Sequence, residues 1–184
     1  MIRRWLRGSG IMPRSLRSSE GSQILEFALA APFLIVVVIG IIDFASVYSL
    51  KQKLNNAARE GARYGASQEL ANLDSTQASA IGNVVSNYMT NAGLTQCAVG
   101  SASGGPTDYT FGASGKGCGS FKLEVNRAVP VTLNGTAYLA TKVTITYPVN
   151  WSIGTVMKLF LPSSTLKSAL PSTVATDATI ENIN

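Results

Sequence analysis

The longest hydrophobic segment of this 184-residue chain is an apolar run without a charge over residues 27–42, and low polarity continues to Leu50. At about 1.5 Å per residue, a helix over this stretch is long enough to cross a hydrocarbon core of about 30 Å. Tyr48 and Lys51 then provide the amphipathic side chains that are typical of the headgroup layer. The pattern predicts one transmembrane helix over residues 22–50, near the N-terminus.

Helical patterns continue after the apolar run, over residues 51–93. The first part, to about Leu70, extends the membrane helix and is rich in alanine and glycine, which allow close approach of another backbone. A second helix is predicted over 75–92, with Asp74 as its N-cap and Gly93 as its stop. Its apolar face comprises Ala78, Ile81, Val84, Val85, Tyr88 and Met89.

The pattern changes to a period of two in residues 94–184, which predicts a β-rich domain and makes the fold class α+β. The candidate strands of its antiparallel sheet of three to five strands are 121–126, 138–149 and 173–183, with a turn at Asn134-Gly135. Seven glycines between Gly100 and Gly119 predict a loop.

A short apolar segment lies between the last two candidate strands and is interrupted by Lys158. It is too short to span a bilayer, so it belongs either to the core, the favoured interpretation, or to a contact between the domain and the membrane. Its apolar members are Trp151, Ile153, Val156, Met157, Phe160 and Leu161.

The chain is basic, with 15 Lys and Arg against 10 Asp and Glu, but the excess is local. Residues 1–21 contain five arginines and one glutamate, whereas the remainder contains ten basic and nine acidic residues. A nucleic-acid interface needs clustered cations on the folded part, so nucleic acid is not an expected partner. The basic residues instead form a cytoplasmic leader before the membrane helix.

Catalytic chemistry is not expected either. The chain contains no histidine, which excludes Ser-His and Cys-His dyads and removes the commonest zinc ligand. Ser164 to Lys167 matches S-x-x-K without the companion motifs of acyl-serine enzymes. We therefore expect a protein that is not an enzyme, without a cofactor, a metal or a small-molecule substrate.

The two cysteines, Cys97 and Cys118, are not in a metal-type C-x-x-C motif. A disulfide between them would contribute roughly 3 kcal/mol and would require an oxidising compartment, and two buried free thiols are the alternative. Cationic residues are almost balanced on the two sides of the membrane helix, so the cysteines decide its orientation. They place the C-terminal domain outside the inner membrane.

The junction at Gly21 has the spacing of a prepilin-type processing site. Cleavage between Gly21 and Ser22 would release the basic leader, and Glu26 would be the fifth residue of the mature chain. A carboxylate just inside the hydrocarbon is unfavourable unless a cation neutralises it, and the new α-amine of a neighbouring subunit supplies one. The alternatives are a cleavable secretory signal, a twin-arginine signal, and a plain helix-start acid at Glu26.

Arg59, Glu60 and Arg63 are the charged residues of the extramembrane part of the first helix. They form either a solvated face with an i,i+3 pair between Glu60 and Arg63, or a contact with another subunit.

Residues 21 to about 66 resemble the signature of TadE-like proteins, the pseudopilins of the tight-adherence (Flp-type) pilus system. The resemblance implies a pilin-like fold and processing by a prepilin peptidase on the cytoplasmic face, with Glu26 as the recognition acid. It also implies that Asp43 is the family's acidic position near the outer interface. One departure is that the leader is longer than prepilin leaders often are, so Met12 is an alternative start to Met1 and would leave a ten-residue leader through Gly21. The elements that carry it are Glu26-Phe27-Ala28, Pro32, Gly40 to Phe44, and Ala57 to Tyr64.

By this resemblance, the protein is a minor, non-catalytic pseudopilin that acts in pilus assembly or adhesion. Its expected partners are membrane lipid, the peptidase, other pilins or pseudopilins and the Tad secretion platform. It would be a single-pass protein of the bacterial inner membrane, with the C-terminal domain periplasmic or extracellular. Pro32 would kink the membrane helix. The alternative function is an uncleaved, membrane-anchored periplasmic domain that binds a partner.

Overall fold

The computed structural model describes residues 19–68, 74–158 and 170–182. These residues form an α+β fold in which a very long N-terminal helix and a shorter one precede an antiparallel sheet. The elements in chain order are α1 (Ser19–Ala66), α2 (Ser75–Asn91), β1 (Ala98–Gly104), β2 (Asp108–Ser114), β3 (Lys122–Leu133), β4 (Thr136–Pro148), α3 (Ser152–Met157) and β5 (Thr173–Glu181).

Helix α1 is continuous over 48 residues, as the sequence predicts. Its apolar first half is exposed, whereas buried positions recur at Leu54, Ala57, Ala58 and Ala62 in its second half. The helix is long and apolar enough to cross a membrane. One helix therefore contributes both the candidate span and a wall of the domain core.

Helix α2 begins at the predicted cap. The Asp74 carboxylate accepts a hydrogen bond from the backbone N–H of Gln77 at 2.9 Å, which satisfies an N–H that has no partner within the helix. Gly93 follows the helix with a φ of +81°, a conformation that glycine adopts without strain. The buried face contains Ala78, Ile81, Val85 and Met89, four of the six predicted positions.

The five strands form an antiparallel meander in the order β1-β2-β3-β4-β5. Asn134 and Gly135 connect β3 to β4, with φ values of +51° and +84° that are typical of a type I′ turn. Both helices contact one face of this sheet, α1 mainly over β4 and β5, and α2 over β1. The core between the layers includes Leu54, Ile81, Phe111, Leu123 and Ile145.

The predicted loop between Gly100 and Gly119 is wrong, because this segment contains most of β1 and all of β2. The glycines disrupt the alternation by which a strand is recognised, yet Tyr109 and Phe111 still point into the core. The Gly104–Tyr109 pair is the last of the β1–β2 ladder, and backbone hydrogen bonds there do not depend on side chains.

The preferred core position of the short apolar segment is also wrong. Trp151, Ile153 and Val156 are half-buried and are absent from the domain core. They belong to or flank α3, which packs against α1 instead. Phe160 and Leu161 of the same segment lie outside the described residues.

Candidate assembly surface on the N-terminal helix

The predicted processing residues lie at the beginning of α1. Gly21, Ser22 and Glu26 are all exposed, and a Cβ added at Gly21 would meet nothing within 4 Å. Glu26 forms no ion pair in the part of the chain that the structure describes. Residues 1–18, which include most of the leader, lie outside that part. The junction is therefore free of contacts with the folded domain.

The apolar surface of α1 begins just after this junction and is exposed over most of its circumference. Phe27, Phe33 and Phe44 are each about two-thirds exposed or more, at 68%, 71% and 69%. Pro32 lies inside the helix and cannot donate to the carbonyl of Ala28, four residues earlier. Water does not favour such a surface, so it requires lipid or the helices of other subunits.

Asp43 differs from the rest of this surface because it is 7% exposed. Its Oδ2 accepts a hydrogen bond from the backbone N–H of Ile153 at 2.6 Å. Trp151, the N-cap residue of α3, provides no side-chain capping bond, so the Asp43 carboxylate of α1 caps α3 in its place. The α3 helix is thereby attached to α1 through the residue that the resemblance gives as the family's acidic position.

Close packing accompanies this hydrogen bond. A Cβ built on Gly40, one helical turn before Asp43, would lie 3.3 Å from Cδ1 of Ile153. The indole N–H of Trp151 donates to the carbonyl of Pro171 at 2.7 Å, which fixes the start of α3 to the segment before β5. We refer to Gly40, Asp43, Trp151 and Ile153 as the α1–α3 clasp.

Arg59, Glu60 and Arg63 lie farther along α1, exposed beside the edge strand β5. They line a groove of about 500 Å³ opposite Asp177 to Ile180. The described residues form two ion pairs, and neither includes a residue of this trio. The predicted pair between Glu60 and Arg63 is therefore not formed. The three side chains are exposed to solvent.

The predicted disulfide is present between Cys97 and Cys118, with a Cα–Cα distance of 5.6 Å. It joins the residue before β1 to the loop after β2 and so closes the open end of this hairpin. The cysteines, the processing residues and the charged trio occupy separate places, and the structure does not bring them into one site.

A buried polar network around Arg127 was not predicted. Its guanidinium donates to the carbonyls of Gly65 and Gln68, at 3.1 and 2.8 Å, and to the side chain of Gln77. These bonds fix the C-terminus of α1 to the start of α2, and burial lowers the pKa of Arg127 from its ordinary value. The sequence carried a signal for it, because Arg127 continues the inward alternation of Phe121, Leu123 and Val125.

The network extends to the end of β5 through backbone and amide groups. The Asn182 side chain donates to the carbonyl of Arg127 at 3.1 Å and accepts from the hydroxyl of Thr141 at 2.6 Å. The network is thus a structural junction of polar groups, with hydrogen bonds between α1, α2, β3, β4 and the end of β5.

Within residues 19–68, 74–158 and 170–182, no group of three or more His, Cys, Asp or Glu side chains is arranged to hold a metal ion.

Comparison with known protein families matches a segment that covers most of α1. No curated protein and no solved structure matches the chain. The family model described as TadE-like protein matches residues 21–63, which include Glu26, Asp43 and the charged trio. The chain therefore carries a TadE-like segment from Gly21 to Arg63, and the resemblance expected from its sequence is confirmed.

Proposed function

We propose that this protein is a minor pseudopilin of a tight-adherence pilus, which acts without catalysis in pilus assembly or adhesion. The TadE-like family implies involvement in assembly of such pili. One observation supports the finer assignment: α1 exposes a long apolar surface, of which the described part of the chain covers only the strip beside α3, and Gly21 to Glu26 begin it. A pilin subunit needs such a surface for lateral packing of membrane helices.

The proposed role of the junction is to convert a membrane precursor into an assembly-competent subunit. A prepilin peptidase would cleave between Gly21 and Ser22, and the new α-amine would neutralise Glu26 of a neighbouring subunit. Charge pairing of this kind is favourable because an unpaired carboxylate costs about 2.5–3.5 kcal/mol at the centre of a membrane helix and less near its edge. Ordered packing of subunits would then follow from the pairing.

In this proposal the leader is cytoplasmic and the domain of residues 51–184 lies on the other side of the inner membrane. The Cys97–Cys118 disulfide supports that orientation, since structural disulfides persist in oxidising compartments. The exposed trio of Arg59, Glu60 and Arg63 would contact other pilins, pseudopilins or the Tad secretion platform.

The N-terminus of the mature protein tests the proposal. Protein extracted from host membranes should begin at Ser22 by intact mass and N-terminal determination. Gly21→Leu should leave the full precursor, because a bulky side chain obstructs access to the scissile bond. Ala28→Leu, an equally bulky change at an exposed position beyond the junction, should be processed normally.

A mature protein that begins at Met1 or Met12 would contradict the pseudopilin assignment and favour an uncleaved, anchored binding domain. A start near Leu50 would contradict the membrane helix as well, because the apolar run would then be a discarded signal.

A further inference from the structure

We propose that the segment from Trp151 to Lys158, centred on α3, lies in the lipid interface beside the outer end of the membrane-spanning part of α1. The occupant of this surface is the membrane on the domain side, which makes α3 a second attachment of the domain to lipid. The inference rests on the membrane span of the proposed function, but not on cleavage at Gly21.

The depth of the clasp follows from distances along α1. If Glu26 marks one edge of the hydrocarbon, a core of about 30 Å at about 1.5 Å per residue ends near Ser46. Gly40 then lies about six residues, or roughly 9 Å, below the outer edge. A tilt of α1 lengthens the buried stretch and moves Gly40 deeper. Because Ile153 packs on Gly40, α3 must lie at a similar depth.

The chemistry of α3 is compatible with this position. Backbone N–H groups at membrane depth need partners, and the N–H of Ile153 has one in the carboxylate of Asp43. The Trp151 indole N–H is likewise bonded to the Pro171 carbonyl. Trp151 and Ile153 can therefore contact apolar lipid without leaving these donors unpaired.

The opposite side of α3 suits the headgroups. Ser152, Thr155 and Lys158 are exposed and recur at intervals of three, which places them along one side of the helix and its end. The described residues 149–158 contain one lysine, Lys158, and no acidic residue, as expected of a segment that meets anionic lipid. An apolar side toward α1 and lipid with a cationic side toward the headgroups is typical of interfacial helices.

Tryptophan fluorescence measures this depth directly, because the chain contains only Trp5 and Trp151. The full-length Trp5→Phe variant would be reconstituted in vesicles of phosphatidylcholine and phosphatidylglycerol, with or without bromine on the acyl chains. We expect Trp151 to lose most of its emission in vesicles with brominated acyl chains. Its emission maximum should also lie at a shorter wavelength than that of the protein unfolded in denaturant without detergent. Emission that is unchanged by bromine would overturn the inference.

Two reporter variants, each in the Trp5→Phe, Trp151→Phe background, separate the span from the inference. Phe44→Trp lies on the apolar surface of α1 and should be quenched if the span is correct. Tyr138→Trp lies near the β3–β4 turn, at the end of β4 opposite Pro148, and should not be quenched. A quenched Phe44→Trp with an unquenched Trp151 would reject the α3 interface alone, whereas an unquenched Phe44→Trp would reject the span and the inference together.

Two further changes identify what holds α3 in place. Asp43→Ala should reduce the quenching of Trp151 because the N–H of Ile153 loses its acceptor, and Asp43→Asn should retain it through the amide oxygen.

Diluting the protein in lipid tests whether another copy of the chain, rather than lipid, covers Trp151. Quenching that is absent at high protein density and appears only on dilution would mean that another copy covers Trp151, and would overturn lipid as its partner in the assembled state.

Discussion

Arg127 is a buried cation, 1% exposed, whose partners are mostly carbonyl groups rather than carboxylates. Its guanidinium donates hydrogen bonds at the C-terminal end of α1, where the carbonyls of the last turn lack partners within the helix. Its own Nε finds no acceptor among residues 19–68, 74–158 and 170–182, so part of the cost of burial remains uncompensated. The position is therefore sensitive to substitution.

We expect Arg127→Met to reduce the free energy of unfolding by about 3 kcal/mol, because it removes the hydrogen bonds to the carbonyls of Gly65 and Gln68 and to the side chain of Gln77. Urea denaturation of the full chain in detergent, followed by circular dichroism, measures the loss. The matched control is Lys142→Met on the adjacent strand, which removes an exposed ion pair with Asp177 and should cost less than about 1 kcal/mol. Equal losses for the two variants would contradict the structural role of Arg127.

Tyr147 predicts a dependence of stability on alkaline pH. Burial raises the pKa of its phenol above the ordinary value, and a hydrogen bond with the backbone of Cys97 opposes this only in part. Since the unfolded chain releases the proton at a lower pH, this contribution to stability is complete below the unfolded pKa and is lost as pH rises through the folded pKa.

Tyr147→Phe should therefore lose less stability than the natural chain when pH rises from neutral to beyond about 10. Urea midpoints across this range, with the disulfide intact, measure the difference. Parallel declines of the two proteins would show that Tyr147 does not contribute.

Helix α1 approaches α2 and the sheet closely at two glycines. A Cβ on Gly61 would lie 2.5 Å from Cγ2 of Val85, and one on Gly65 would lie 2.8 Å from Cγ2 of Thr141. Real side-chain atoms do not approach this closely, so the small residues noted in the sequence are required for helix–helix and helix–sheet packing. These two contacts explain why glycine occupies both positions.

Gly61→Ala should lower stability by about 1–3 kcal/mol through overpacking, although alanine favours helix by about 1 kcal/mol. Val85→Ala removes the obstructing methyl groups. In that background Gly61→Ala should therefore cost less stability than it does in the natural chain. A double-mutant cycle from urea denaturation measures that coupling. Additive effects would mean that the two residues do not press on each other.

Local signals predicted the elements that local interactions determine. Asp74 and Gly93 bound α2, and Asn134-Gly135 turns β3 into β4, because capping and positive φ are properties of a few adjacent residues. The five-stranded sheet was anticipated only as three to five strands, since β1 and β2 lack regular alternation. Ladder bonds stabilise them instead, because β2 pairs with the predicted strand β3 and β1 pairs with β2.

Long-range contacts were beyond the sequence patterns. The bond from Ile153 to Asp43 joins residues 110 positions apart, and no period of the chain indicates it. The Arg127 network similarly joins α1 to β3 across 62 and 59 positions. Of the predicted site residues, Asp43 gained a structural partner, whereas the roles of Gly21, Ser22, Glu26, Arg59, Glu60 and Arg63 stay predictions.

In the whole molecule, α1 belongs to two environments that change near Leu50. Before this residue its surface is mostly exposed and apolar, apart from the side that contacts α3, and from Leu54 onward its inner face is part of the domain core. The domain therefore cannot be separated from α1 at the end of the helix without loss of the core.

A fragment that begins at Lys51 should stay in solution without detergent and unfold cooperatively, because it retains Leu54, Ala57, Ala58 and Ala62. A fragment that begins at Ser67 should be unfolded or aggregated, since it exposes the face of the sheet that α1 covers. Size-exclusion chromatography and thermal circular dichroism distinguish the two. Cooperative unfolding of the shorter fragment would contradict the central position of α1 in the core.

The continuity of α1 has a mechanical consequence. A helix of 48 residues is a rod about 72 Å long, and one end of it is packed into the domain core while the other lies in the membrane. There is no slack between them, so a rotation or axial displacement imposed on the membrane end by neighbouring helices turns or lifts the domain by the same amount. Force applied to the domain would likewise pass directly to the membrane helix.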